Sequence, residues 1–165
     1  MPDKPSYIGL LNAIAVGETA AGDAFTEWAD ATTDKRLEKT LRLVAMRESE
    51  HGLAFQKRLM ELGYEMRAPE TGGESELEKI IRSKRSDLSK MRALKFHRGP
   101  GDTDIFDGMF RDKTIDPVTG GLLGRYIAEE RDTGWKLKAE ADRLAERDRK
   151  AKARAKERAA KNAKK

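Results

Sequence analysis

The sequence contains no cysteine among its 165 residues. Disulfide bonds, thiolate nucleophiles, cysteine-ligated zinc and iron–sulfur clusters are therefore excluded, and any bound metal must be held by carboxylate and imidazole groups. Proline (5 residues) and aromatic residues (6%) are also scarce, runs of Val, Ile or Thr are missing, and charged residues make up 38%. This composition disfavours β-sheet and predicts an all-α protein.

Long apolar runs are also missing from the sequence. No stretch approaches the ~18 to 20 consecutive apolar residues that a membrane-spanning helix needs. We therefore expect a soluble, cytoplasmic protein without a membrane partner. Its length corresponds to one domain that can bury a substantial core.

The spacing of apolar residues predicts four helices, over residues 6–31, 34–62, 74–96 and 116–145. Gly63 follows the last apolar residue of the second helix, as is common at helix C-termini. Asp116 and Pro117 form an N-cap with proline at the first helical position. We expect residues 1–145 to form an up-down-up-down four-helix bundle.

Ionisable residues interrupt the apolar faces of three of these helices. Glu18 lies on the apolar face of the first helix, Glu48 and His51 lie on that of the second, and Glu130 lies on that of the last. Each is near the middle of its helix, so the four side chains are expected at one level of the bundle. Burying an unpaired carboxylate costs several kcal/mol or shifts its pKa by on the order of 3 to 5 units. A metal ion bound by all four side chains is the natural compensation.

A glutamate on one helix followed by Glu-x-x-His on the next, here Glu18 with Glu48 and His51, resembles the half-site of carboxylate-bridged di-iron bundles. These bundles belong to the ferritin-like superfamily, in its rubrerythrin-like branch. The resemblance covers residues 6–63 well and residues 74–145 more weakly. It implies Glu18 as a terminal or bridging ligand, Glu48 as a bridging ligand, His51 as a terminal nitrogen ligand and Glu130 as a bridging carboxylate.

The resemblance also implies a cofactor and a class of reaction. Carboxylate oxygen with imidazole nitrogen suits iron, as one or two ions, with manganese as the alternative. The implied activity is that of an oxidoreductase, by ferroxidase or peroxide-linked chemistry. Tyr126, one turn before Glu130, either approaches this site or packs in the core.

The second half of the family pattern is altered. Thr133 stands where the family has a histidine three residues after Glu130, and Lys84 stands where the third helix would supply a glutamate. Several interpretations stay open: a site for one ion or for two irregularly ligated ions, or a half-site completed by a second chain in a homodimer. A further interpretation is a metal-free ferritin-like scaffold in which Lys84 and arginines neutralise the acids. The last interpretation is that the acids lie on these helix faces by chance.

The C-terminal residues 146–165 form a basic Lys/Arg/Ala-rich tail. Residues 148–165 hold nine Lys or Arg against two acids, a net charge of +7, whereas the whole chain carries +5. The rest of the chain is therefore slightly acidic, at −2. Such a tail predicts binding to nucleic acid phosphates or to an acidic partner, and the alternative is a solvated helical or disordered end.

Overall fold

The computed structural model describes residues 5–69, 73–100 and 107–163, and within these ranges every regular element is helical. The prediction of an all-α protein is confirmed. The elements are α1 (Ile8–Ala31), α2 (Lys35–Glu61), α3 (Glu76–Arg82), α4 (Asp87–Ala93) and α5 (Pro117–Asn162), with short 3-10 turns at Phe96–Arg98 and Asp107–Phe110.

Local signals in the sequence set the ends of the long helices. The Asp34 side chain caps α2, and the Asp116 side chain caps α5 by accepting from the backbone of the first turn, where Pro117 follows directly. Gly63, at a φ of +83°, adopts the left-handed conformation that ends α2. The predicted bounds of the first two helices and the start of the last therefore agree with the structure to within two residues.

The predicted third helix over residues 74–96 is wrong, because the structure breaks it into α3 and α4. Ser75 caps α3 in a capping box with Glu78, and Ser86 begins α4 by accepting from the backbone N–H of Ser89. Lys84 falls in the exposed break between the two helices, and none of the ion pairs within the described residues joins it to Glu18 or Glu130. Lys84 therefore does not occupy the position of a family glutamate.

The predicted up-down-up-down order is also wrong, because the last long helix runs parallel to the first. The Tyr7 hydroxyl, just before α1, donates to Asp116 at the start of α5, and further along both helices Tyr126 donates to Glu18. The connection after α2 returns along α1, so that Asp87 of α4 accepts hydrogen bonds from Trp28 and Thr32 near the end of α1.

From that point α4 and the following turn descend against α5. Asp87 and Lys90 lie beside Leu144 and Arg147, whereas Gly99 lies against Lys138 and Trp135, nearer the start of α5. In chain order α1, α2, α4 and α5 therefore run up, down, down, up, and α3, which is as short as α4, lies in the connection between α2 and α4.

A polar layer divides the hydrophobic core into two clusters. Both clusters draw on α1, α2 and α5, and they pack above and below the level of Glu18, Glu48, His51 and Glu130. The upper cluster contains Phe25, Trp28, Leu37, Leu41, Val44, Met91, Leu137 and Leu144. The lower cluster contains Leu11, Ile14, Phe55, Leu59, Leu123 and Ile127.

Candidate metal centre

Two glycines bring the backbones of α1 and α2 close together at the polar layer. A Cβ added at Gly22 would lie 3.1 Å from the backbone N of Ser49, and one added at Gly52 would lie 3.0 Å from the backbone N of Thr19. Real Cβ atoms rarely come that near to another backbone. Thr19 follows Glu18 and Gly52 follows His51, so this close crossing is what brings the ligand candidates of the two helices together.

The structure brings together all four side chains singled out from the sequence. One donor atom each from Glu18, Glu48, His51 and Glu130 lies within 4.8 Å of all the others. Glu48 and His51 are buried, and the other two are partly buried. This buried group can hold a metal ion; that the four residues do ligate one stays a prediction.

Three donor atoms in this group are buried and have no hydrogen-bond partner: Glu18 Oε2, His51 Nδ1 and Glu130 Oε1. They face one another, with His51 Nδ1 3.6 Å from Glu18 Oε2 and 3.5 Å from Glu130 Oε1. A buried polar atom without a partner costs roughly 1 to 3 kcal/mol, so three at one point require an explanation. A cation between them would satisfy all three at once.

His51 and Glu18, two of the candidate ligands, are also bound by residues outside the group of four. His51 Nε2 lies 2.7 Å from Glu129 Oε2, and the Tyr126 hydroxyl donates to Glu18 Oε1 at 2.8 Å. The Tyr126 ring also packs edge-on against His51, with 5.0 Å between ring centroids. His51 and Glu18 are therefore each bound on one side by another residue while the remaining donor atom faces the centre, an arrangement that is also common around metal-bound histidine and carboxylate.

Burial and charge perturb Glu48 most strongly. Burial, followed by the neighbouring carboxylates of Glu18 and Glu130, raises the pKa of Glu48 to about 11. Arg47 opposes this shift but does not cancel it. When no cation is present, Glu48 is therefore protonated at neutral pH.

His51 and Glu18 are shifted by the same cluster of charges. Burial lowers the pKa of His51, but the nearby carboxylates of Glu130, Glu18 and Glu129 outweigh it and raise that pKa to about 10. For Glu18, burial acts to raise the pKa, yet interactions with His51, Glu48 and Tyr126 leave it lowered. The cluster thus retains two protons at neutral pH, one on Glu48 and one on the His51 ring.

The spacing of the donors fits a small divalent cation. An ion bound at about 2.0 to 2.2 Å from each ligand separates neighbouring donors by roughly 3.0 to 3.5 Å. The distances of 3.5 and 3.6 Å from His51 Nδ1 to the two carboxylates already approach that range. Three carboxylates with one imidazole form a hard-to-borderline donor set, which is typical of protein sites for divalent metal ions.

An arginine of α2 binds the residues that follow Glu130 on α5. Arg47 Nη1 donates to Asp132 Oδ2 at 2.7 Å and to Thr133 Oγ1 at 3.1 Å. Thr133 is buried and Lys136 also pairs with Asp132. Thr133, where the resemblance implies a histidine, and its neighbour Asp132 therefore bind a guanidinium group.

Sequence reasoning missed the roles of Glu129 and Arg47. Glu129 lies beside Glu130 in sequence, but Glu129 contacts Nε2 of the His51 ring whereas Glu130 faces Nδ1. The spacing of apolar residues cannot assign these two roles to two adjacent glutamates. Both alternatives for Tyr126 hold, because its ring packs against Phe55 and His51 while its hydroxyl reaches Glu18. The one available signal was the pair Arg125 and Glu129, four residues apart on α5, which form an ion pair.

Among the described residues, no helix combines the length and apolar character needed to cross a membrane. Comparison of the chain with protein-family models, with curated proteins and with solved structures finds no match.

Proposed function

We propose that this chain is a ferritin-like metal-binding protein whose site holds one iron ion, with manganese as the alternative. The observation that carries the proposal is the convergence of three buried donor atoms without a hydrogen-bond partner, from Glu18, His51 and Glu130, beside the buried carboxyl of Glu48. All four donors come from one chain, so a second subunit is not needed to complete the set.

The connectivity of the helices supports the ferritin-like part of the proposal. Ferritin-like bundles contain one long crossover connection between their helix pairs. Here the long connection between α2 and α4 carries α3 back along α1, and α5 runs parallel to α1.

The arginine beside the site supports one ion rather than two. Asp132 and Thr133 are already engaged by Arg47, whose positive charge takes the place of a second cation. His51 Nε2 is likewise engaged by Glu129. The residues left free to face a cation are the four of the candidate group.

An iron ion held at this site would supply one-electron redox chemistry with dioxygen or peroxide, and the proposed activity is oxidation of ferrous ion. The chain's own residues prepare the site for this. Tyr126 holds one oxygen of Glu18, and Glu129 orients the His51 ring so that Nδ1 faces the ligands. The two apolar clusters above and below keep bulk water from the layer.

Metal loading tests the proposal. The purified protein is incubated anaerobically with ferrous ion, passed through a desalting column and subjected to elemental analysis. We expect about one iron per chain for the wild type, and background levels for the double variant Glu48→Ala with His51→Ala.

A matched control removes the same two side-chain types from the surface. Glu65 and His97 are both exposed, so Glu65→Ala with His97→Ala should load like the wild type. Iron at background level in the wild type, or equal loading of the two double variants, contradicts the proposal.

A second candidate function rests on the exposed end of α5. Burial ends at Leu144, yet the helix continues to Asn162, and every residue from 149 to 163 is exposed. Arg154, Lys156 and Arg158 take part in none of the ion pairs among the described residues. We infer that this extension binds the phosphates of nucleic acid, since its only apolar residues are alanines, which cannot anchor it in a membrane.

Truncation after Asp148 tests this second candidate while keeping Arg147, which pairs with Asp34. We expect the full chain to bind duplex DNA with an affinity that falls steeply with salt, and the truncated chain to lose at least ~10-fold in affinity. Iron content should be unchanged. DNA binding that survives truncation, or is absent from the full chain at low salt, would reject this role.

A further inference from the structure

Helix α2 is apolar on two opposite faces. One face carries Leu41, Glu48 and Phe55 into the core, whereas the other leaves large apolar side chains in solvent. We call these four residues the outer stripe: Leu43 (37% exposed), Met46 (67%), Leu53 (68%) and Met60 (66%). A surface helix of a globular protein normally has one apolar face, so the outer stripe indicates a second contact.

The outer stripe follows a seven-residue repeat. Met46, Leu53 and Met60 are seven residues apart, and Leu43, Glu50 and Lys57 precede each of them by three. This is the spacing of the contact seam in a two-helix coiled coil, where such positions meet a partner helix.

The chain's own helices lie on the other side of α2. Thr19 of α1 approaches Gly52, and α5 meets α2 through Glu129 at His51 and Asp132 at Arg47. The outer stripe points away from these contacts. Within the described residues its three most exposed members therefore face solvent along about four turns of helix.

The arrangement of the stripe identifies a second copy of this chain as its partner. A methionine lies seven residues on either side of Leu53, so the stripe reads almost the same in both directions. Two copies crossing antiparallel at Leu53 would match Met46 with the Met60 end of the other copy. Such self-complementarity is what a two-fold symmetric interface requires.

The charged residues Glu50 and Lys57, which lie beside the outer stripe, favour the antiparallel orientation. A parallel pair would set Glu50 against Glu50 and Lys57 against Lys57, two like-charge contacts. An antiparallel pair instead sets Glu50 of one copy near Lys57 of the other. We propose that the protein forms an antiparallel homodimer through the outer stripe of α2.

This interface would be connected to the candidate metal centre. Glu50 Oε1 accepts from Arg125 Nη2 at 2.6 Å, and Arg125 Nε donates to Glu129 Oε1 at 3.1 Å. Glu129 in turn holds His51. The dimer rests on the stripe alone and does not depend on a bound metal, so its test is separate from that of the proposed function.

Sedimentation equilibrium on the full chain tests the proposal. We expect the wild type at about 100 µM to show twice the chain mass of 18.5 kDa, and Leu53→Glu to show the single chain mass, because it brings two carboxylates together at the crossing. Val118→Glu is the matched control, since Val118 is likewise exposed (62%) but lies on α5. This control should remain dimeric.

A thiol crosslink gives a second measurement that needs no destabilising charge. The chain has no cysteine, so Leu53→Cys carries one unique thiol, and a short bis-maleimide should join two such chains. Val118→Cys should remain uncrosslinked at the same concentration. A monomeric wild type, a dimer unaffected by Leu53→Glu, or equal crosslinking of the two cysteine variants overturns the proposal.

Discussion

Replacing Glu48 by glutamine is expected to weaken cation binding strongly and, at the same time, to stabilise the protein that carries no cation. The amide keeps the size of the side chain but provides no charge for a metal. If four ligands share a binding free energy of about 10 to 16 kcal/mol, each supplies roughly 2.5 to 4 kcal/mol, so losing one lowers affinity by about 100- to 1000-fold.

The expected gain in stability follows from the pKa of Glu48. In an unfolded chain this group has a pKa of 4.5, whereas in the folded protein without a cation burial raises it to about 11. Folding at pH 7 must therefore take up a proton or bury a charge, and both are unfavourable. Glutamine avoids the penalty, and we expect about 1 to 3 kcal/mol of added stability in the presence of a chelator.

Isothermal titration with Mn²⁺ and denaturant unfolding in chelator measure the two effects. Glu65→Gln makes the same chemical change on the surface and should leave both quantities unaltered. A Glu48→Gln protein that binds Mn²⁺ like the wild type, or that unfolds more easily, would show that Glu48 is a structural acid and not a ligand.

The pH dependence of cation binding is the second large effect. At pH 7 the cation-free cluster holds one proton on Glu48 and one on His51, because their pKa values are about 11 and about 10. A divalent cation replaces both protons without changing the net charge of the layer. Each displaced proton raises the logarithm of the affinity by one per pH unit, so affinity should rise about 100-fold per unit between pH 6.5 and 8.

The stability of the cation-free protein should change with pH in the opposite direction. A group whose pKa is raised by folding stabilises the folded protein fully only when the pH is below the pKa of that group in the unfolded chain. That pKa is 4.5 for Glu48 and 6.5 for His51. That contribution is lost as pH rises toward about 11 and about 10. Asp34 behaves in the opposite way, because Arg143 lowers its pKa to about 2. It stabilises the folded protein above pH 3.8, and this stabilisation is lost as the pH falls toward 2.

Melting temperatures and proton release distinguish these expectations from a purely structural cluster. In chelator, the melting temperature should fall from pH 5 to pH 9, and with saturating Mn²⁺ the fall should be reduced or reversed. Titration in weak buffer at pH 7 should release about two protons per ion bound. Affinity that is independent of pH would mean that Mn²⁺ binds elsewhere.

The ligand candidates could be predicted from sequence because they break a strong pattern. Glu18, Glu48, His51 and Glu130 interrupt apolar stripes that the structure confirms as buried faces. Long helices with regular spacing fix which side of the backbone a residue occupies. Their common level followed from each being near a helix midpoint.

The third helix and the order of the bundle could not be predicted in the same way. Apolar spacing continues through residues 77–94, and it conceals the break that Ser83 and Ser86 create. The direction of the helices that follow the long connection depends on the path of the chain between Gly63 and Ser86. The spacing of apolar residues carries no information on that path. The partners of His51 and Arg47 likewise depend on the packing of α5 against α2.

The close crossing at Gly22 and Gly52 makes the candidate centre rigid in one particular direction. Backbone already rests against side chain and backbone there, so α1 and α2 cannot approach further, and parting them would open the packed clusters on both sides. An arriving ion therefore enters by rotation of carboxylates, not by separation of helices. The crossing therefore sets the separation between Glu18 and the two candidate ligands of α2 before any ion is bound.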